Sequence, residues 1–352
     1  MRPLKSSPLA LGFSLLVTAS PARATEGRPE VQVYSSIGTT HRLTVRGRAL
    51  RKSGERGSTV LSRNARRLFA NEEWKNVEVK VTVAGHVREV RTDGEGLFDA
   101  QFVLDDAGLP PGEHEAKAEV GGISGTGTVH VISRTDLVVV SDFDDTVAVT
   151  HVTSRRRMLT SALLMGEDTQ PRVPGMPELY QALRQHRSAA FVYLSGSPIQ
   201  YHHRIRAFLS HNGYPPGGIF LRQLDSGALN PAGFKTPVLK RLLRDLPDQK
   251  FLFVGDSGER DPEIYRDIAK EAGERHLGTF IRLVTPERPD AARFEGQHAF
   301  GTPSEVAQAL AGRALLDADA IDLVREAEQG VTPAPGKTPA RRPGGDELQP
   351  AP

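Results

Sequence analysis

The feature that most constrains this chain is the stretch Arg134 to Thr150, RTDLVVVSDFDDTVAVT. Leu137, Val138, Val139 and Val140 form a continuous apolar run, the pattern of a strand buried on both faces in a parallel sheet. Asp142, Asp144 and Asp145 follow at once. Acids at the mouth of such a strand are costly, because each buried charge needs a proton, a cation or a basic partner. Hard oxygen donors on a short turn suit Mg²⁺, which takes one or two carboxylates plus water and substrate phosphate. The competing reading is an acidic strand exit that is merely solvated.

Downstream of this strand the pattern alternates strand and helix. Continuous apolar runs at Ala189–Leu194, Gly218–Leu221, Phe251–Val254 and Thr279–Val284 read as further strands. Helical spacing covers Pro177–His186, Gln200–Asn212, Pro237–Leu246, Pro262–Ala272 and Ser304–Leu316. Such a series implies an α/β fold, a doubly wound, Rossmann-like parallel sheet with helices on both faces. Ligands of such sheets bind beyond the carboxyl ends of the strands.

Upstream the period is two. Val77, Val79, Val81 and Val83 alternate with Glu78, Lys80 and Thr82, and Arg42–Gly47, His86–Thr92, Leu97–Leu104, His114–Val120 and Gly125–Ile132 read as companion strands. Turn sequences separate them, at Thr92–Gly96 and Leu109–Gly112, and only Ala65–Trp74 reads as helical or irregular. About seven short strands suggest an all-β sandwich, a structural or binding module preceding the α/β domain.

A chain of 352 residues has room for both units. The expected division is residues 1–24 as a signal peptide, 25–134 as the β-sandwich-like domain, 135–329 as the catalytic domain and 330–352 as a disordered Pro/Gly-rich tail. Arg2 and Lys5 precede the apolar run Leu9–Val17, and Ala22-Arg23-Ala24 supplies a cleavage pattern. Export, to a periplasm or the medium, is therefore expected, with the mature chain starting near Thr25. Lys and Arg number 45 against 43 Asp and Glu, a balance that argues against an extended nucleic-acid track. With no Cys, disulfides, thiolate metal sites and cysteine nucleophiles are excluded.

The carboxyl ends of the α/β strands carry a consistent set: Asp142, Asp144 and Thr146, then Ser195-Gly196-Ser197-Pro198, then Gly255-Asp256 through Asp261, with Lys235 before the preceding helix. Chemistry supplies a use for each type. A carboxylate attacking phosphorus splits one hard transfer into two easier ones. A divalent cation neutralises the two anions that must meet. A second carboxyl protonates the leaving oxygen and later activates water, while a hydroxyl and a lysine hold phosphoryl oxygens.

Asp142-Phe143-Asp144-Asp145-Thr146, Ser195, Lys235 and Gly255-Asp256…Asp261 resemble the four motifs of the haloacid dehalogenase superfamily. The longer wording, SDFDDTVAVTHV, RVPGMPELYQAL, YLSGSP, FLSHNGYPPG and FLFVGDSGERDPEIY, is similar to the catalytic domain of the actin-patch-associated phosphatidate phosphatases, relatives of lipins. The resemblance covers about Leu137 to Val284, and the four motifs occur in order. It implies a haloacid dehalogenase-type fold and a Mg²⁺-dependent phosphatase that hydrolyses a phosphomonoester, phosphatidate to diacylglycerol in the family, through an aspartyl-phosphate. Carried over by motif, Asp142 is the nucleophile and Asp144 the acid/base. Asp142, Asp256 and the main-chain carbonyl of Asp144 are metal ligands, with Asp261 an acid near the metal. Ser195, Lys235 and Thr146 face the phosphate. The chain departs from the family at Ile199-Gln200-Tyr201, where an aromatic residue commonly follows the Ser-x-Ser-Pro, and this leaves substrate preference open.

Each residue also has a plainer reading. Asp261 precedes Pro262 and fits a helix N-cap. Thr146 fits a cap of its own turn, and Ser195 an ordinary turn residue. Lys240, the rival of Lys235, falls on the solvated face of its helix. His151, His202 and His203 lack a completing cluster and are read as surface or groove residues without metal. Arg155, Arg156 and Arg157 precede Met158, Leu159, Ala162, Leu163 and Met165, either a cap helix with solvated arginines or a basic amphipathic element resting on an anionic membrane. The rival functions are a receiver-type phosphoacceptor switch, a non-catalytic phosphatidate-binding module and a phosphatase of soluble phosphoesters. Export speaks against the first, and the presence of Asp144 against the second.

Overall fold

A computed structural model of the chain describes residues 29–52, 71–149, 171–223 and 231–330. The expected signal peptide, the segment holding His151 and Arg155 to Arg157, and the expected tail beyond Gly330 lie outside the described residues. Among the described residues no helix is long and apolar enough to cross a membrane.

The first half is built on the period-two pattern. Its strands are β1 (Glu30–Val33), β2 (Ser36–Thr39), β3 (Arg42–Lys52), β4 (Asn71–Glu73), β5 (Glu78–Val83), β6 (His86–Arg91), β7 (Leu97–Val103), β8 (Gly112–Val120) and β9 (Ile123–Ile132). Val79, Val81 and Val83 are buried while Glu78 and Lys80 are exposed, as the alternation requires. These strands join one nine-stranded hydrogen-bonded network rather than two separate sheets, in the order β1-β3-β2-β9-β8-β5-β6, with β4 and β7 also paired to β3. The inward residues of β1, β3, β5, β7, β8 and β9 nevertheless share a single apolar cluster. β1 lies close over β9. A Cβ on Gly125 would stand 1.8 Å from the Val31 carbonyl oxygen, and one on Gly127 2.6 Å from that of Val33. Only glycine permits that approach. The turn expected at Thr92–Gly96 is present, with Asp93 Oδ1 accepting the Glu95 and Leu97 amides at 2.8 and 2.9 Å.

The second half is a six-stranded parallel sheet: β10 (Leu137–Asp142), β11 (Ala190–Pro198), β12 (Gly218–Arg222), β13 (Lys250–Asp256), β14 (His276–Arg282) and β15 (His298–Phe300), in the order β12-β11-β10-β13-β14-β15. Its helices are α1 (Met176–Arg187), α2 (His202–His211), α3 (Pro231–Asp245), α4 (Asp261–Ala272), α5 (Pro303–Ala311) and α6 (Ala318–Glu328). Alternate residues of the apolar strands serve opposite faces. Val139, Tyr193 and Leu252 pack with Leu179, Ile205, Leu310 and Val324 of α1, α2, α5 and α6. Val138, Val192 and Phe253 pack with Leu242 and Ile268 of α3 and α4. The chain leaves β10 toward β11 and β12, then returns to place β13 on the other flank of β10. Order reverses between β10 and β13, the place where parallel sheets open a crevice at their carboxyl ends.

The structure corrects the extent of α3. Pro237 lies inside the helix rather than at its start, and Lys235 is therefore a helical residue, not one preceding a cap. Pro237 has no amide hydrogen to donate, so the helix carries one unmade rung there. β15 and α6 extend the second half beyond its expected elements, and Asn71–Glu73 is a strand.

The two sheets meet in a buried contact. Ser133 binds Asp136 through its amide and hydroxyl, at 2.8 and 2.7 Å, which fixes the turn from β9 into β10. Ile37 of β2 and Ile132 join the apolar cluster of Val138, Val140 and Phe220. Ser35 accepts the Ile219 amide at 3.1 Å and donates its own amide to His202 Nε2 at 2.9 Å. His202 is thus not a surface residue; it is 7% exposed and its ring lies 4.8 Å from that of Tyr34. Burial pushes its pKa down to about 3, and Arg206, His203 and Arg46 act in the same direction. The unfolded chain therefore binds a proton at His202 that the folded chain refuses. This contribution to stability is present above pH 6.5 and is lost progressively as the pH falls toward 3. Urea unfolding at pH 7 and pH 4.5 should show a steeper acid loss in the parent than in His202→Gln; equal losses would contradict the buried neutral ring.

Candidate active site

The carboxyl end of β10 delivers Asp142, which is buried. The chain then turns tightly, Val147 and Ala148 donating their amides to the Phe143 carbonyl at 3.0 and 3.1 Å. Asp145 takes a left-handed φ of 54° in this turn, and Arg282 Nη1 donates to its carbonyl at 2.5 Å. The turn aims the Asp144 carboxylate at β11, where Ser195 Oγ donates to Asp144 Oδ2 at 2.8 Å and accepts the Ser197 amide at 3.0 Å. Behind Asp142, Tyr180 of α1 donates to Ser141 Oγ at 2.7 Å, and Ser141 donates to the Asp142 carbonyl at 2.7 Å.

β13 ends in Asp256, whose Oδ1 accepts the Gly258 amide at 2.5 Å. Asp261 follows as the first residue of α4. Arg260, not Asp261, occupies the N-cap position, and no side chain caps the helix. The Asp261 carboxylate turns inward, binding Lys235 with Oδ1 and accepting the Asp256 amide with Oδ2 at 3.4 Å. This is possible because Gly255 has no side chain; a Cβ there would lie 2.5 Å from Asp261 Oδ2 and 2.7 Å from Tyr265 Cε2. Lys235, only 1% exposed, reaches from α3 to Asp142 Oδ1 at 2.7 Å and to Glu259 Oε2 at 3.7 Å. Lys240 instead pairs with Glu271 on the exposed face of α3.

One ammonium therefore faces several carboxylates. Burial acts to lower the Lys235 pKa, but Asp142 and Asp261 outweigh it and hold the ammonium charged. Burial pushes the Asp142 and Asp256 carboxyls well above the ordinary range; Asp261 adds to both, and Lys235 opposes. Asp144 is pushed up to about 7 by burial, with Ser195 opposing and Glu259 adding. Such an excess of buried negative charge calls for a further cation or for protons.

Carboxylate oxygens of Asp142, Asp256 and Asp261 lie within 4.8 Å of one another. Asp142 Oδ2 is buried and has no hydrogen-bond partner, and the same holds for Asp144 Oδ1 and Thr146 Oγ1. The all-oxygen donor set with an open carboxylate lone pair fits a hard divalent cation. Asp144, expected at the metal through its main-chain carbonyl, keeps its carboxylate out of this group, turned to Ser195. Thr146 does not cap its turn, since its hydroxyl is unpartnered. The sequence reading missed Glu259 and Arg282. Arg282 ends β14, so extending the strand-end inventory by one strand would have found it; Glu259 carries no spacing signal within GDSGERD.

Residues 137–283 match the family described as phosphatidate phosphatase APP1, catalytic domain. This segment is similar to that family's catalytic domain. Phosphatidate phosphatase APP1 of Saccharomyces cerevisiae is 31% identical over 173 residues, covering 48% of this chain and 29% of the yeast protein. An uncharacterized protein of Schizosaccharomyces pombe is 30% identical over 161 residues, covering 44% of this chain and 26% of its own length. The chain thus spans less than a third of either curated relative. Among solved structures, a carbohydrate acetylesterase from Xanthomonas citri aligns over 86% of this chain and 76% of its own at 12% identity. The TM-score of that alignment is 0.31. Every residue of the site just described falls inside the APP1-like segment.

The buried ammonium makes a direct prediction. Lys235→Met leaves Asp142 and Asp261 without their cation and should cost about 3–5 kcal/mol in urea unfolding without divalent ions. Adding Asp142→Asn should recover part of the loss. A single-variant loss below about 1 kcal/mol would contradict the pairing.

Proposed function

We propose that the chain is a Mg²⁺-dependent phosphatase that hydrolyses a phosphomonoester through an aspartyl-phosphate on Asp142. The observation that carries this reading is the buried cluster of Asp142, Asp256, Asp261 and Lys235 at the switch point of the parallel sheet, inside the APP1-like segment. Helices on both faces support a doubly wound, haloacid dehalogenase-type catalytic domain over 135–329, preceded by an all-β domain over 25–134. Residues 1–24 direct export in this proposal, with Thr25 as the mature terminus.

The side chains divide the work. Lys235 pairs with Asp142 Oδ1 and Oδ2 has no protein partner, so the Asp142 carboxylate is open to both the cation and phosphorus, which it attacks. As the P–O ester bond breaks, Asp144 gives its proton to the leaving oxygen; a carboxyl with a pKa of about 7 is protonated in a large share of molecules at neutral pH and can also act as a base. Water then attacks the phosphorus of the aspartyl-phosphate, Asp144 takes the water's proton, and Asp142 is released with inorganic phosphate. Ser195, Thr146 and Lys235 hold the phosphoryl oxygens that do not react. Asp142, Asp256, Asp261 and the Asp144 carbonyl would hold a divalent ion, which would supply charge neutralisation for the two anions that must meet.

Phosphatidate is the proposed substrate, resting on the similarity to the phosphatidate phosphatase of Saccharomyces cerevisiae. In assays of the full chain, Mg²⁺ should support, and EDTA abolish, hydrolysis of p-nitrophenyl phosphate and of phosphatidate in vesicles. Asp142→Asn should show no turnover with its fold intact, and Asp144→Asn a loss of about 10²–10⁴-fold. Activity retained in Asp142→Asn or in excess EDTA would refute the mechanism. Turnover of soluble phosphoesters without phosphatidate would move the substrate to that class, and phosphatidate binding without turnover would favour the binding module.

A further inference from the structure

Arg293 lies beyond the family-matched segment, in a 3-10 turn at Ala292–Phe294 after β14. Its guanidinium nevertheless engages the loop that carries two of the site acids. Nη1 donates to the Ser257 carbonyl at 3.1 Å and Nη2 to the Glu259 carbonyl at 2.8 Å. Nε and Nη2 clasp the two oxygens of Glu263, in the first turn of α4, at 3.1 and 3.2 Å. Nη1 also reaches both oxygens of Glu287, at 3.0 and 3.1 Å. The loop between Asp256 and Asp261 is thus tied at two carbonyls and at the helix that follows it. Neighbouring residues add to the same brace: Ser257 Oγ lies 2.7 Å from Thr285 Oγ1, and Gln297 Nε2 donates to the Pro262 carbonyl at 2.5 Å.

We infer that Arg293 is a positioning residue that fixes the Asp256–Asp261 loop and thereby sets the affinity of the acid cluster for a divalent cation. This rests on the metal reading of Asp256 and Asp261 given above. The physical argument is that two ligands on one short loop bind an ion well only if their separation is fixed beforehand. A loose loop must be ordered at each binding event, at a cost in conformational entropy. A planar fork of five donors can hold carbonyls and carboxylates together; a lysine ammonium, with three donors on a flexible stem, cannot reproduce that set.

Charge and geometry predict opposite signs, which makes the inference testable. Arg293→Gln removes a positive charge and leaves Glu263 and Glu287 uncompensated. By Coulomb attraction alone the variant should bind a cation more tightly. By positioning it should bind more weakly. Titration calorimetry with Mg²⁺ and Mn²⁺ on the full chain, without substrate, should give about tenfold or greater weakening in Arg293→Gln. Arg293→Lys should fall between that variant and the parent. In turnover assays the activation constant for Mg²⁺ should rise while kcat at saturating Mg²⁺ stays within about threefold, because no reacting group has been removed. Unchanged or tighter binding in Arg293→Gln, or binding in Arg293→Lys equal to the parent, would overturn the inference. If Arg293→Gln does not fold, Arg293→Lys carries the test alone. Asp256→Asn separates the two levels of argument. A parent that binds no divalent ion, or an Asp256→Asn variant that binds like the parent, removes the metal reading itself; binding lost in Asp256→Asn but kept in both Arg293 variants removes only the role of Arg293.

Discussion

The second half of this molecule is organised around one buried ammonium. Lys235 cannot be placed inside a protein without anions, and Asp142 and Asp261 cannot be placed there without a cation. Satisfying both joins three elements that are distant in sequence: the end of β10, the interior of α3 and the first residue of α4. The same requirement explains Gly255, whose missing side chain leaves room for the Asp261 carboxylate, and the continuation of α3 through Pro237. A helix starting at Pro237 would leave Lys235 on the preceding loop, where the backbone under it would also have to be fixed. The parallel sheet supplies the rest. Because all six strands point one way, their carboxyl ends bring Asp142, Ser195, Asp256 and Arg282 to a common rim.

Charge bookkeeping at this rim remains unbalanced by protein groups alone. Lys235 neutralises one carboxylate's worth of charge, and burial pushes Asp142, Asp144 and Asp256 upward. The unpartnered Asp142 Oδ2, Asp144 Oδ1 and Thr146 Oγ1 face the same imbalance. Unpartnered buried polar atoms also occur elsewhere in the molecule, but these three belong to the motif at the end of β10, beside the buried acids. A dianionic phosphate with a divalent cation would satisfy acceptors and donors together, which a cation or an anion alone would not.

Much of this arrangement was legible in the sequence because the decisive signals are local. Leu137–Val140 reads as a doubly buried strand from four consecutive residues, and Val79, Val81 and Val83 declare their alternation directly. Asp142, Asp144, Thr146, Ser195, Asp256 and Asp261 could be gathered by reading strand ends. What escaped depends on distance. His202 looks like a helix-start surface residue until Ser35, far away in the chain, donates to its ring. Arg282 and Arg293 act on loops they meet only through the fold. β1 and β2 are too short for periodicity to emerge, and α6 turns a face of Ala320, Val324 and Ala327 whose small side chains give a weak apolar signal. Asp261 before Pro262 carries a helix-cap signature that pairing with Lys235 overrides.

The central claim is that Asp142 itself bears the phosphoryl group during turnover. Rapid mixing of the full chain with a radiolabelled phosphomonoester and Mg²⁺, quenched in acid within the first turnover and followed by peptide mapping, tests it most directly. The account predicts a hydroxylamine-labile label on the peptide containing Asp142, absent when that residue is asparagine. Turnover that proceeds with the label on a different residue, or with no protein-bound label at any quench time, would contradict it.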